Sequence, residues 1–311
     1  MKRNKKFSLL LLLSSACMML TVFLAGCSGL PASPDGSGSA ADAASGKLTV
    51  KVLDVGQGDS ILIRTDSQTV MIDTSDKDER DKLEAAIKKE SITTVDKLIL
   101  THPHADHIGG AAVVLEQCDV KAVYDNGQPS NTKLYRDYLK TVKNKGIPYK
   151  ALRDGDSLDF GNGATFAVIS PTEEMVKEGG TKDGKINLNL NSVAGRLAFG
   201  DFTMMFTGDG EKETEAGILQ RHKPAELQSL VLKAPHHGSK TSSSAEFLKA
   251  VSPEAVLISC GKGNDYGHPH KPVMERYKKQ GIAIYRTDTQ GTLTVTTDGK
   301  TYEITAEKKG Q

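Results

Sequence analysis

The sequence predicts an α/β fold, specifically a four-layer αββα sandwich in which two sheets pack face to face and helices cover the outside. Three observations lead there. From Lys47 onward, short apolar runs alternate with helical patterns. Each half of that region has strands followed by mixed strand–helix units that end in polar loops. Composition does not break after residue 47, which favours one domain, and 311 residues with 38% apolar content are enough to bury a sizeable core.

The elements follow in order. Residues 1–26 have a basic start, an apolar run from Phe7 to Leu24 and then small residues, the layout of an export signal. The run is also just long enough to span a bilayer, so an uncleaved anchor is the alternative. In both readings the basic flank stays inside and the rest of the chain lies beyond the cytoplasmic membrane. The segment "LAGC" at 24–27 resembles the lipobox of bacterial lipoproteins, which implies a lipid anchor on Cys27 and a location on the outer face of that membrane. Residues 28–46 carry almost no large apolar side chains and cannot offset the entropy of folding. We therefore expect a flexible tether over 27–46 and a folded domain over 47–311. The formal net charge is +1, but removal of residues 1–26 would leave 36 basic against 39 acidic residues. The domain is then mildly acidic, which argues against a strongly basic nucleic-acid surface and leaves room only for a local patch.

Within the domain, "LTVKVLDV", "SILIRT" and "TVMIDT" read as three successive strands, and residues 77–90 as an exposed, charge-rich helix. "VDKLILT" is a buried strand running into a histidine cluster, and "AAVVLEQ" a short helix after Gly109 and Gly110. Residues 131–145 read as a helix with Asn131 as cap and Gly146 as stop. Strands are expected near 147–151, 165–170, 192–199 and 201–206, then a helix over 211–221 and a strand over 229–233. A helix near 243–251, a strand over 254–259 and a helix opened by Pro272 come next. "GIAIYRT", "GTLTVTT" and "TYEITAE" close the chain as strands. Of the cysteines, Cys118 and Cys260 lie inside the domain; they form one disulfide or remain two lone thiols. Neither has a Cys or His at zinc-ligand spacing.

The histidine cluster is "THPHADHIGG", residues 101–110, and it holds three of the chain's eight histidines. His102 and His104 are two apart and point the same way on an extended segment, so they can grip one metal ion. Asp106 and His107 follow after a turn and can reach a second. Pro103 keeps the segment extended. Three further strand ends carry similar groups: "MMFTGDG" with Asp209, "LKAPHHGSKTSS" with His236 and His237, and "LISCGKGNDYGHPH" with His268 and His270. Asp209 can bridge two ions, or it can simply cap the following helix. Strand-end loops that all carry His or Asp can converge on one edge of the sheets.

"THPHADHIGG" matches the HxHxDH motif of the metallo-β-lactamase superfamily, and "VMIDT" with Asp73, "FTGD" with Asp209 and "GHP" with His268 resemble its other motifs in the expected order. The fold that this implies is the sandwich of the metallo-β-lactamase type. "LDVGQGDSILI", "NSVAGRLAFGDFTMMFTGD", "LKAPHHGSKTSSS" and "GKGNDYGHP" resemble the hydrolase domain of ComEC-type DNA-uptake proteins of competent bacteria. The HHG and GHP segments are also similar to bacterial phosphorylcholine esterases. The resemblance implies a metal set of His102, His104, Asp106, His107, Asp209 and His268, with His236 and His237 near a substrate phosphate. It implies two divalent ions, zinc or manganese, with magnesium as a further option. One departure stands out: the superfamily usually supplies another metal-binding His before the bridging Asp, and here none occurs from Ile108 to Gly208. The matching stretch is "INLNLNSVAG", with Asn187, Asn189 and Asn191. A site richer in oxygen is less selective for zinc.

The expected chemistry is metal-assisted hydrolysis of a phosphate ester, with water activated between two ions and attacking phosphorus. Asp106 belongs to the catalytic set, and His236 or His237 steadies the phosphoryl oxygens or protonates the leaving group. Asp73 is expected to orient a ligand histidine from behind. Asp59 in "GQGDS" does the same or braces its turn, and Ser239 lies beside the paired histidines. The leading substrate is extracellular DNA, by resemblance to the uptake proteins. A teichoic-acid or phosphorylcholine phosphoesterase is the alternative, and a surface lipoprotein that only binds is the alternative of another class. No protein partner can be inferred.

Overall fold

A computed structural model describes residues 44–309. The signal segment 1–26, Cys27 and most of the 27–46 tether lie outside these residues. Fifteen strands form two sheets. They are β1 Leu48–Val52, β2 Ile61–Arg64, β3 Thr69–Ile72, β4 Lys97–Leu100, β5 Val123–Asp125, β6 Tyr149–Ala151, β7 Ser157–Gly161 and β8 Ala164–Ser170. β9 Ala194–Phe199, β10 Phe202–Phe206, β11 Val231–Lys233, β12 Ala255–Ile258, β13 Ala283–Arg286, β14 Leu293–Thr297 and β15 Tyr302–Ala306 complete them. The first sheet runs β15-β14-β1-β2-β3-β4-β5-β6 and the second β13-β12-β11-β10-β9-β8-β7. The last two strands of the chain thus return to the first sheet, β14 pairing with β1 and β15 with β14.

The strand alternation makes the layers. Ile61 and Ile63 of β2 enter an apolar cluster between the sheets, which also takes Phe202, Met204 and Phe206 of β10 and Leu257 of β12. Leu62 faces the opposite way and packs with Leu83, Ile87, Tyr138 and Val142 of the helices outside the first sheet. Met205 and Val256 face Phe247, Leu248, Val273 and Tyr277 of the helices outside the second. Three cores separate four layers, as the period-two pattern demands.

In the two large sheets the expected strands are present with two additions, β5 and β7. Both are short or interrupted: β5 has three residues, and β7 alternates exposed Ser157 and Asp159 with buried Leu158 and Phe160. Short helices at Glu173–Lys177, Pro224–Leu227 and Thr287–Gln290 and two small two-stranded ladders are further additions. Thr132, and not Asn131, caps the Lys133–Asn144 helix, its hydroxyl accepting from the Tyr135 N–H. One residue of slip at a helix start is the usual ambiguity between neighbouring capping side chains. Cys118 and Cys260 are both free and buried.

The strands β3, β4 and β5 run parallel, as do β10, β11 and β12. Their carboxyl ends therefore point to one edge of each sheet. The loops that leave them carry Asp73, His102 to His107, Asp209, His236 and His237, and the segment up to His268. Open α/β sheets bind ligands at such ends.

Candidate metal centre

Each part of the site is held by backbone tied to the next loop. Asp73 follows β3 in a left-handed conformation (φ 61°). Its Oδ1 accepts the Thr101 N–H at 2.7 Å, and its Oδ2 accepts the Thr101 hydroxyl at 2.8 Å and the His107 Nδ1–H at 2.7 Å. That bond fixes the tautomer of His107 and turns Nε2 inward. Asp106 and His107 ride on a one-turn helix, Ala105–Ile108, with His104 at its N-cap. The His107 carbonyl is tied to both the N–H and the hydroxyl of Thr74. Gly58 sits against the Asp106 carbonyl, where a Cβ would approach to 2.4 Å at φ +123°, so only glycine brings Asp59 under the helix.

On the second sheet, Asp209 follows β10 and accepts nothing from the next helix, whose N-cap is Glu211. Its N–H donates to the Ser192 hydroxyl, and its carboxylate faces the imidazoles. His236 and His237 both take left-handed backbone (φ 48° and 53°), an uncommon conformation for side-chain-bearing residues and costly by about 1 kcal/mol each. Both rings reach the same carboxylate, His236 toward Asp209 Oδ2 and His237 toward Oδ1.

Asp209 divides the cluster between its two oxygens. Oδ1 lies 3.2 Å from His107 Nε2 and 3.6 Å from His237 Nε2. Oδ2 lies 3.6 Å from His236 Nε2 and 3.9 Å from His102 Nε2. Asp106 Oδ2 is 3.4 Å from His237 Nε2 and 3.8 Å from His107 Nε2. Ligand atoms of Asp106, His107, Asp209 and His237 all lie within 4.8 Å of one another. His102 Nε2 and His104 Nδ1 meet at 3.0 Å on the other side.

These residues fit divalent cations. His107 Nε2, His237 Nε2 and Asp209 Oδ1 are buried and have no hydrogen-bond partner. Orphaned buried polar atoms each cost about 1–3 kcal/mol, and three aimed at one point call for a shared cation. A mixed set of imidazole and carboxylate suits first-row divalent metals such as zinc and manganese.

The charges tell the same story. Burial lifts the Asp209, Asp106 and Asp59 carboxyls, but neighbouring cations hold all three below the usual carboxylate range: His107 and His237 for the first two, Lys233 and His237 for Asp59. Burial lowers His237, yet Asp209 and Asp59 raise it to about 10, and Asp209 and Asp73 likewise raise His107. Protons on these two rings balance the carboxylates in the metal-free chain. His102 and His104 are lowered, mainly by burial, and His268 falls to about 4 through burial and the charges of His237 and His236.

The remaining expected residues separate. His237 joins the four-donor group, and His268 stands outside it, ring centroids 5.9 Å from His237 and 5.5 Å from His236. His270 lies further out, its Nδ1 accepting the Lys240 N–H. Among the asparagines, only Asn189 lines the cleft; its Oδ1 is buried and unpartnered. Asn187 accepts the Asn189 N–H, and Asn191 donates to Gln128 and the Met175 carbonyl on the far side. Ser239 bonds Thr241 and steadies its own loop; Thr241 in turn bonds His236 Nδ1. Asp59 is buried behind His237, with Oδ1 3.4 Å from Nδ1.

The sequence reading omitted three residues. Lys233 is 1% exposed and its Nζ pairs with Asp59 at 2.9 Å and the Ala234 carbonyl at 3.0 Å. A lysine ending an otherwise apolar strand was the available signal. Gln57 and Tyr266 line the cleft, about 350 Å³ in volume, whose base is formed by Asp209 and His237.

With this geometry in hand, the chain can be set beside known proteins. The sequence profile of the metallo-beta-lactamase superfamily matches residues 53–262. The chain is 32% identical over 266 residues to ComE operon protein 3 of Bacillus subtilis and 31% identical over 248 residues to competence protein ComA of Neisseria gonorrhoeae. The matches take in 78% and 79% of this chain but 32% of each relative, so the chain spans about a third of the length of these proteins. The metallo-beta-lactamase fold protein YhfI from Bacillus subtilis superposes with a TM-score of 0.50 at 14% identity, covering 77% of this chain and 95% of that one. That likeness concerns the fold alone.

Proposed function

The chain belongs to the metallo-beta-lactamase superfamily, and from that premise we propose that it is a metal-dependent phosphodiesterase, a nuclease acting on extracellular DNA. The superfamily consists generally of metal-dependent hydrolases, and the cluster of buried His and Asp donors suits that chemistry. One observation carries the reading: the two oxygens of Asp209 face two separate groups of imidazoles, the environment of a carboxylate shared by two cations. The names of the competence relatives favour DNA over other phosphate esters.

Two divalent ions bound there would supply Lewis acidity and an activated water. The protein's own residues do the rest. Asp106, His107, Asp209 and His237 would hold one ion, and His102, His104 and His236, beside the other oxygen of Asp209, would hold the second, His236 replacing the histidine absent between Ile108 and Gly208. His268, neutral at pH 7, offers an N–H to a phosphoryl oxygen at the cleft wall. Asp73 holds His107 from behind, and the Ser259 carbonyl, which accepts the His237 Nδ1–H at 3.0 Å, holds His237 beside the charge of Asp59. The proposal includes a lipid anchor at Cys27 and a position on the outer face of the cytoplasmic membrane, where exogenous DNA is met.

The test is a substrate panel. The purified chain, loaded with manganese or zinc, is expected to cut single-stranded DNA and bis-nitrophenyl phosphate and to leave nitrocefin intact. Hydrolysis of glycerol-phosphate polymer or nitrophenyl phosphorylcholine without cleavage of DNA would overturn the nuclease reading. No metal-dependent hydrolysis at all would favour a binding protein.

A further inference from the structure

Tyr266 is conspicuous. Among the described residues, three large apolar side chains are exposed, and Tyr266, at 64%, is the one that lines the catalytic cleft. A singly exposed apolar side chain is ordinary; what sets Tyr266 apart is its place in the cleft lining beside His268. Its ring lies nearly parallel to that of His268, planes 17° apart and centroids 5.6 Å apart. The imidazole therefore meets one face in an offset stack and leaves the other open to solvent.

The ring is not a loose loop tip. Asn264 clamps the segment on both sides: its Nδ2 donates to the carbonyls of Gly261 and His268, and its Oδ1 accepts the His268 N–H. Gly261 is in turn held by Gln57 Oε1. A rigid aromatic plane fixed beside a phosphate-binding histidine is a stacking platform that loses little entropy on binding.

We infer that Tyr266 is a nucleobase-stacking subsite, placing the base next to the scissile phosphate against its open face. The inference rests on the phosphodiesterase reading above and names the substrate feature that the site selects. A quaternary ammonium such as choline would be captured by several aromatic faces forming a cage. The chain has no tryptophan, and Tyr266 is the single Phe, Tyr or Trp in the cleft lining. One open plane suits a flat heterocycle, and every base has a π-face, so the subsite is sequence-tolerant. A second cleft shares Gln57 and mixes Lys82, Lys262 and Lys308 with Asp54, Glu79 and Asp288, so it adds no single-sign phosphate site and the subsite rests on Tyr266 alone.

The experiment uses the full metal-loaded chain with a dT oligonucleotide and an abasic oligonucleotide of the same backbone. The wild type is expected to favour the dT strand by about tenfold or more in kcat/KM. Tyr266→Ala should lose that preference, read as the ratio of kcat/KM on the two strands; Tyr266→Phe should keep it. Tyr266→Trp introduces the chain's one tryptophan, and the dT strand should quench its fluorescence where the abasic strand does not. Equal cleavage of both strands by the wild type, or an unchanged preference in Tyr266→Ala, would overturn the subsite and leave the nuclease reading standing. Turnover of phosphorylcholine or glycerol-phosphate esters with neither strand cleaved would overturn both.

Discussion

The carboxylate of Asp73 accepts the Nδ1 proton of His107 at 2.7 Å, and this one contact sets which nitrogen of His107 faces Asp209. An amide at position 73 would present an N–H or a weaker acceptor to a ring that needs an anion. Asp73→Asn should therefore lower divalent-metal affinity by about 10–100-fold with little change in the far-ultraviolet spectrum. Isothermal titration with zinc and manganese reads this directly; affinity within twofold of wild type would reduce Asp73 to a brace for Thr101.

The division of the cluster by Asp209 predicts metal counts. The wild type should hold two ions per chain by elemental analysis, and His236→Ala and His237→Ala should each lose one. His268→Ala should keep both and lose about a hundredfold in kcat and kcat/KM together, the pattern of a group that acts in the transition state. Metal loss in His268→Ala with full occupancy in His237→Ala would reverse the two roles.

Metal loading should release protons. His237, raised to about 10, is protonated in the metal-free chain at pH 8 and must be neutral to ligate, and His107 is shifted in the same direction by Asp209 and Asp73. At least the His237 proton should leave, about one or more per chain, and apparent affinity should rise with pH. Calorimetry in buffers of different ionisation enthalpy measures the release; identical heats would refute it. The sign for folding is opposite. A histidine raised in the folded state stabilises fully below about 6.5, and that contribution is lost as pH rises toward 10. The melting temperature of chelator-treated protein should fall across that interval, and metal should remove the trend.

Lys233 and Asp59 form a buried ion pair, each about 1% exposed. Removing one partner strands the other charge, so Lys233→Met should cost about 3–5 kcal/mol in urea denaturation. Adding Asp59→Asn should recover part of that loss, whereas additive losses would mean that the pair does not interact.

Cys27 should carry the anchor. Cys27→Ser is expected to shift the mature mass and release the chain from the membrane fraction. An unlipidated wild type would exclude the lipoprotein.

Much of this site was legible before any coordinates. His102, His104, Asp106 and His107 stand close in sequence, and the regular strand period brought Asp209 and the paired histidines to the same edge. The allocation of roles was less legible. Whether His237 or His268 joins the ligands depends on two left-handed residues at 236 and 237, and sequence spacing does not encode that turn. Lys233 was hidden because its partner lies in a loop of the other sheet. Asn189 could not be told from Asn187 and Asn191, since a short helical turn over Leu188–Asn191 aims them in different directions. The strand β5 was missed because three residues carry too little periodicity to recognise.

The donors come from both sheets, with His102, His104, Asp106 and His107 from the first and Asp209, His236 and His237 from the second. The consequence concerns supply. A growing chain displays His102 and His104 long before the residues that complete their shell have been synthesised, so no early fragment can retain an ion. If the chain is exported as proposed, the site would be completed, and a cation retained, only beyond the membrane, once the loops of both sheets have docked. Occupancy would then follow the ions present in that surrounding fluid more than the rank of intrinsic affinities. Growth medium, as much as sequence, would decide whether the harvested protein contains manganese or zinc.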